Sequence, residues 1–171
     1  MTSKKSGPTV AYVSLGSNCE AADRMLAEAS ERLGGLPGLR IAAASPVYST
    51  EPQDYVAQPW FLNQVLKLEL EACWRPRALV AALLEQEALM GRMRDPALRF
   101  GPRVIDLDLL LFGEERCDWP DCTLPHPRLL QRAFVLVPLL DVAPGLRVGG
   151  LPLAEALRRL PYRLCDGKIF Q

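Results

Sequence analysis

Two aspartates one residue apart, Asp106 and Asp108, stand inside the apolar run VIDLDLLLF, residues 104 to 112. In a strand, residues i and i+2 share a face. Both carboxylates then project to one side with Val104 and Leu110, while Ile105, Leu107, Leu109 and Leu111 form an apolar face on the other. Like charges this close repel and lose hydration, so the pair invites a shared proton, an arginine or a hard cation. Magnesium suits it, because one or two carboxylates plus water and phosphate oxygens complete its octahedral shell. Arginines are near: Arg75, Arg77, Arg92, Arg94, Arg99 and Arg103 stand against Glu85, Glu87 and Asp95. Carboxylate-held metal together with guanidinium groups answers phosphate charge, which makes phosphate chemistry the expectation. The nucleotide motifs GxxxxGK and GxGxxG are both missing. Gly16, Ser17 and Asn18 can turn the chain and cap a helix, and carry no phosphate role on composition. His126 has no nucleophile beside it in sequence and supports no triad.

Alternating strands and helices must position these groups. TVAYVSL (9–15) reads as a buried strand, and Ser17 with Glu20 matches a capping box for a helix whose face is Ala22, Met25, Leu26, Ala29 and Leu33, ending before Gly34 and Gly35. Residues 39 to 49 look extended, with Pro46 marking an edge or bulge. In FLNQVLKLEL (61–70), Leu62, Leu66, Leu68 and Leu70 share a core face, interrupted by Gln64; Phe61, Asn63 and Val65 share the other, which sets a ring beside an amide. Pro76 starts a helix continued by Leu79, Val80, Leu83, Leu84, Glu87 and Met90 and stopped at Gly91. A short helix is expected within LPHPRLLQRAFVLVPLL and another near LAEALRRL. This order favours a two- or three-layer α+β domain over a bundle or barrel.

The totals exclude several function classes. The 171 residues, 49% hydrophobic, suffice for one core, expected over 9–171 behind a short flexible tail, 1–8. Lys plus Arg and Asp plus Glu number 20 each, so nothing in the overall charge suggests a nucleic-acid or membrane coat. Five cysteines without a CxxC pair and one histidine do not make a structural zinc set; reduced thiols in a cytoplasmic protein are expected. The start, MTSKKSGP, lacks an apolar signal core, and no run is apolar and long enough to span a bilayer.

The segment RFGPRVIDLDLLLF resembles the signature of the 6-hydroxymethyl-7,8-dihydropterin pyrophosphokinase family of folate biosynthesis, and YVSLGSN, SPVYSTEP, FLN, EALMGRMR and LPHPRLLQRAF follow in the family's order. The resemblance implies a ferredoxin-like α+β sandwich, with a mainly antiparallel sheet and packed helices. It implies transfer of pyrophosphate from ATP to the hydroxymethyl group of a reduced pterin. Asp106 and Asp108 would match the carboxylates that hold two Mg²⁺ ions. Arg92 and Arg103 would match phosphate-contacting arginines. Glu87, Arg94 and His126 fall at positions associated with the nucleotide, and Arg99 joins them as a further candidate. Thr50, Pro52, Phe61, Asn63 and Phe134 would form the pterin pocket. A flat pterin can stack between two rings while an amide reads its edge. Phe100 and Phe61 stand where many relatives carry tryptophan and tyrosine, which keeps stacking and loses two hydrogen-bond donors; Pro127 replaces a tyrosine after the histidine. Loops 50–60 and 91–103 are implied to close over the substrates. A monomer binding neither nucleic acid nor membrane is expected.

Two rival readings make different demands. A nucleotidyltransferase could use a Gly-Ser pair with DxD carboxylates, but Gly16 and Ser17 lie far from Asp106 in sequence instead of in one compact motif. A ferredoxin-like RNA-binding module could use Phe61 as a stacking platform, but RNA would meet the aspartates, and the neutral balance adds no steering.

Overall fold

The period-two pattern of the first strand and of 61–70 becomes a pair of central strands in the computed structural model, which describes residues 7–53, 56–93 and 103–171. In chain order the elements are β1 (Thr9–Ser17), α1 (Ala22–Gly34), β2 (Leu39–Ala44), β3 (Tyr48–Thr50), β4 (Phe61–Leu70), α2 (Pro76–Leu89) and β5 (Asp106–Phe112). A hairpin of β6 (Cys117–Trp119) and β7 (Cys122–Leu124) follows, then a 3₁₀ turn (Leu129–Gln131) and α3 (Ala133–Val142). The chain ends with β8 (Arg147–Val148), β9 (Leu151–Pro152), α4 (Leu153–Arg158), β10 (Arg163–Cys165) and β11 (Lys168–Phe170). Of the expected tail, residues 1–6 lie outside the described residues.

The main sheet runs β10-β11-β3-β4-β1-β5, with β2 also paired to β4. Its pairs are antiparallel except β11 with β3. Two strand-helix-strand units, β1-α1-β2 and β4-α2-β5, interleave to give the expected ferredoxin-like sandwich. The alternation on β4 explains the layers. Leu66, Leu68 and Leu70 pack with Leu26 and Leu33 of α1 and Leu79 and Leu83 of α2. Val65, on the opposite face, packs with Leu136 and Leu139 of α3 and Leu153 of α4. Both faces of the central strands are therefore covered, and burying leucines on this scale supplies the main stabilisation.

Two expectations change. Ser17 is no helix cap: it still pairs with Leu62 as the last residue of β1, its hydroxyl lies 3.4 Å from the Arg103 carbonyl oxygen, and α1 begins at Ala22 without a side-chain cap. Leu111 does not share the face of Ile105, Leu107 and Leu109. A register shift places Tyr12 opposite Leu111 and Val13 opposite Leu109, so Leu110 is an extra residue, the alternation resets, and Leu111 joins Leu110 under α3 while Phe112 joins the first core. Leu84 lies on α2 as its helical spacing implies, and it is 42% exposed.

Candidate active site

On one face of the three central strands, apolar residues give way to polar ones toward one end. Tyr12, Val65 and Leu110 pack under α3, and beyond them come Ser14 and Gly16 on β1, Asn63 on β4, and Asp106 and Asp108 on β5. Register makes rows of them: Gly16 sits opposite Asn63 on one side and Asp106 on the other, and Ser14 sits between Val65 and Asp108. These residues floor a cleft whose walls include Thr50, Glu51, Gln53, Gln58, Phe61, Arg103, Arg132 and Phe134. Phe61 comes from β4 and Phe134 from the first turn of α3. The Asn63 amide donates to the Thr50 hydroxyl at 2.6 Å. Gly16 is required by close approach: a Cβ there would lie 2.8 Å from Asn63 Oδ1.

The carboxylates are treated unequally. Arg92 and Arg103 each donate to Asp106, and Arg92 also meets Glu87 at 2.5 Å. Glu87 is 2% exposed and accepts the Leu107 backbone N–H at 2.7 Å, which ties the end of α2 to β5. Burial raises Asp106, but Arg92 and Arg103 overcome it and hold the carboxyl below its ordinary value. Burial, followed by the charges of Asp106 and Glu87, pushes Asp108 up to about 7. This is a site with one carboxylate more than its guanidinium groups stabilise, and it fits a divalent cation. Among the described residues no group of three His, Cys, Asp or Glu gathers to enclose a metal. Such an ion would take Asp106 and Asp108 and keep positions for oxygens from elsewhere, as magnesium does.

A second cavity, lined by Val80, Leu83, Leu84, Leu107, Thr123, Leu124, His126 and Pro127, opens on the other side of Asp108, which lines both spaces. His126 is lowered to about 4 by burial, then by Arg132 and Arg128, so its imidazole is neutral, and Nδ1 accepts the Arg128 backbone N–H at 3.1 Å. Exposed Leu84 stands at this cavity.

Of the residues expected from sequence, Thr50, Phe61, Asn63, Arg103, Asp106, Asp108 and Phe134 line the first cleft, and His126 lines the second. Glu87 and Arg92 line neither and reach the site through Asp106; Pro52 lines neither. Arg94, Arg99 and Phe100 lie outside the described residues. Sequence reasoning missed Gly16 and Arg132. The guanidinium of Arg132 lies 5.4 Å from the Phe134 ring centroid, and its charge acts on Asp108. It missed the work of Asn18 as well. That side chain accepts the Arg103 N–H at 2.7 Å and donates to Gln58 at 3.0 Å and to the Pro59 carbonyl at 3.2 Å, joining Arg103 to the Gln58–Pro59 stretch before β4.

Comparison with known proteins identifies the family. The sequence model of the 7,8-dihydro-6-hydroxymethylpterin-pyrophosphokinase (HPPK) family matches residues 12–144. A Methylorubrum extorquens protein named 2-amino-4-hydroxy-6-hydroxymethyldihydropteridine pyrophosphokinase is 42% identical over 152 residues, covering 89% of this chain and 94% of its own. A Pseudomonas aeruginosa protein of the same name is 42% identical, covering 88% and 91%. Among solved structures, an HPPK-DHPS in complex with substrates aligns with a TM-score of 0.68 at 12% identity, over 89% of this chain and 43% of that one. Plasmodium falciparum HPPK-DHPS aligns with a TM-score of 0.67 at 13% identity, over 92% and 46%. The chain thus spans under half of those structures, and their likeness concerns the fold.

Proposed function

The chain belongs to the 7,8-dihydro-6-hydroxymethylpterin-pyrophosphokinase family, and on that premise we propose that its two cavities hold the two substrates and that the carboxylate pair between them is the reaction centre. The activity is transfer of pyrophosphate from ATP to the pterin hydroxymethyl group; by atom balance the other product is AMP. The observation that carries the site assignment is the position of Asp108, which lines both the ring-and-amide cleft and the second cavity.

In this reading Phe61 and Phe134 stack on the pterin, and Asn63 with Thr50 reads its edge, with Pro52 in the adjoining loop. The second cavity takes the nucleoside, where neutral His126 supplies a hydrogen bond. Asp106 and Asp108 would hold magnesium, with two ions as the proposed number. Held there, magnesium would supply charge neutralisation along the triphosphate. Arg103 and Arg132 face the oxygens that gain charge, Arg92 is aimed by Glu87, and Arg94 and Arg99 are further candidates for the same role. Asp106, already ion-paired, is a poor proton acceptor, so alignment and charge stabilisation carry the rate more than a dedicated base. The proposal includes a single domain over 9–171, a monomer, and a cytoplasmic location without nucleic-acid partners; no helix among the described residues is long and apolar enough to cross a membrane.

The test is incubation with ATP, Mg²⁺ and 6-hydroxymethyl-7,8-dihydropterin, with products identified by mass. Pterin diphosphate with AMP is expected. Free pyrophosphate with a nucleotidylated pterin would mean nucleotidyl transfer, and tight RNA binding without turnover would mean a binding module.

A further inference from the structure

Arg132 is the one extended residue between the 3₁₀ turn and α3, with φ −123° and ψ 107°. The direction of the chain at this point decides where Arg132 and Phe134 enter the cleft. Helix α3 has no side-chain cap of its own, and its first-turn amides need acceptors. One arrives from the other end of the sequence. The Gln171 side-chain carbonyl accepts the Ala133 N–H at 2.7 Å, and its side-chain amide donates to the Gln131 carbonyl at 2.9 Å. A single side-chain amide thus brackets Arg132 on both sides. Only asparagine and glutamine offer a donor and an acceptor at this spacing, and glutamine has the longer reach.

The same residue also ties down the opposite wall. Its backbone N–H donates to Glu51 Oε2 at 3.2 Å, and the Glu51 N–H donates to the Ile169 carbonyl at 3.3 Å. Parallel pairing of β11 with β3 sets Ile169 opposite Thr50. Phe170 meets Trp60 edge-on at 5.2 Å, just before Phe61. Both walls of the cleft are therefore hung on the last hairpin.

We propose that Gln171 is a positioning residue for the pterin cleft, setting the separation between the Thr50–Glu51 wall and the Arg132–Phe134 wall without touching substrate. The proposal rests on the assignment of that cleft to the pterin. Gln171→Met keeps the length of the side chain and removes both hydrogen bonds; Gln171→Asn keeps the groups and removes the reach. Each is expected to raise the KM for pterin roughly three- to tenfold, the scale of one or two hydrogen bonds. The KM for ATP should stay within about twofold, and the Ala133 amide should exchange faster. Phe134→Ala is measured beside them. An unchanged pterin KM in the folded Gln171 variants, or equal rises in both KM values, with Phe134→Ala still impaired in pterin binding, would overturn the role of Gln171 alone. An unaffected Phe134→Ala would overturn the cleft assignment and this inference with it.

Discussion

Asp106 and Asp108 leave the same face of β5, yet Asp106 is paired with Arg92 and Arg103 and held low, whereas Asp108 is pushed up to about 7 by burial and by the charges of Asp106 and Glu87. The second carboxyl therefore holds a proton near neutrality that a divalent cation must displace. Mg²⁺ affinity of the free protein should fall as pH drops from 8 to 6, steepening below about 7 toward tenfold per unit. Calorimetric titration at several pH values checks this; a flat profile would contradict the assignment of Asp108 as a ligand.

Removing the crowded charge should separate stability from activity. The folded pKa of Asp108 lies above its unfolded value, so the folded state binds the extra proton, and the group costs stability increasingly as pH rises from about 4 to 7. In metal-free buffer Asp108→Asn should raise Tm by roughly 2–5 °C at pH 8 and leave it unchanged near pH 4. Asp106 is the opposite case, with its folded pKa lowered. Asp106→Asn should lower Tm at pH 8, because two arginines lose their anion. Both variants should lose about a hundredfold or more in turnover. Thermal melts with a chelator, set beside steady-state rates, test the pair; near-normal turnover in both would refute their catalytic roles.

Gly16→Ala should damage pterin binding in particular. The new methyl would meet Asn63 Oδ1, and Asn63 is 5% exposed and already bonded to Thr50, so the amide cannot yield without leaving its place. The expected rise in pterin KM is about tenfold, with the KM for ATP little changed. Equal effects on both substrates would count against Asn63 as the reader of the pterin edge.

Loop closure has its own readout. Hydrogen exchange in 50–60 and 91–103 should slow when ATP, Mg²⁺ and pterin are all present. Unchanged exchange in both segments would reject closure as their response to ligand.

Much of the site could be read in the sequence, because its logic is local. Asp106 with Asp108, and Phe61 with Asn63, are i and i+2 pairs, and strand geometry alone puts each pair on one face. Other features required the partner strand. Leu111 departs from the alternation of β5 because Leu110 bulges against β1, which no pattern within β5 announces. Ser17 looked like a cap because its neighbours in sequence suit one, but pairing with Leu62 kept it in the strand. Gly16, Arg132 and Gln171 gain their meaning from residues distant in the chain. One signal was present and overlooked: Asp166-Gly167, with φ of 47° and 72°, is the tight-turn dipeptide that makes the last hairpin.

The arginine that bridges Glu87 and Asp106 has a thermodynamic implication. With Glu87 and Asp106 matched to guanidinium groups and Asp108 left over, a lone dication finds one ready carboxylate and must evict a guanidinium to gain the second, and a lone polyphosphate must draw a guanidinium away. A chelate bearing both signs would make the two displacements together, its cation meeting the acids and its phosphates meeting the freed guanidinium groups. By reciprocity, each ion tightens the grip on the other to the same extent.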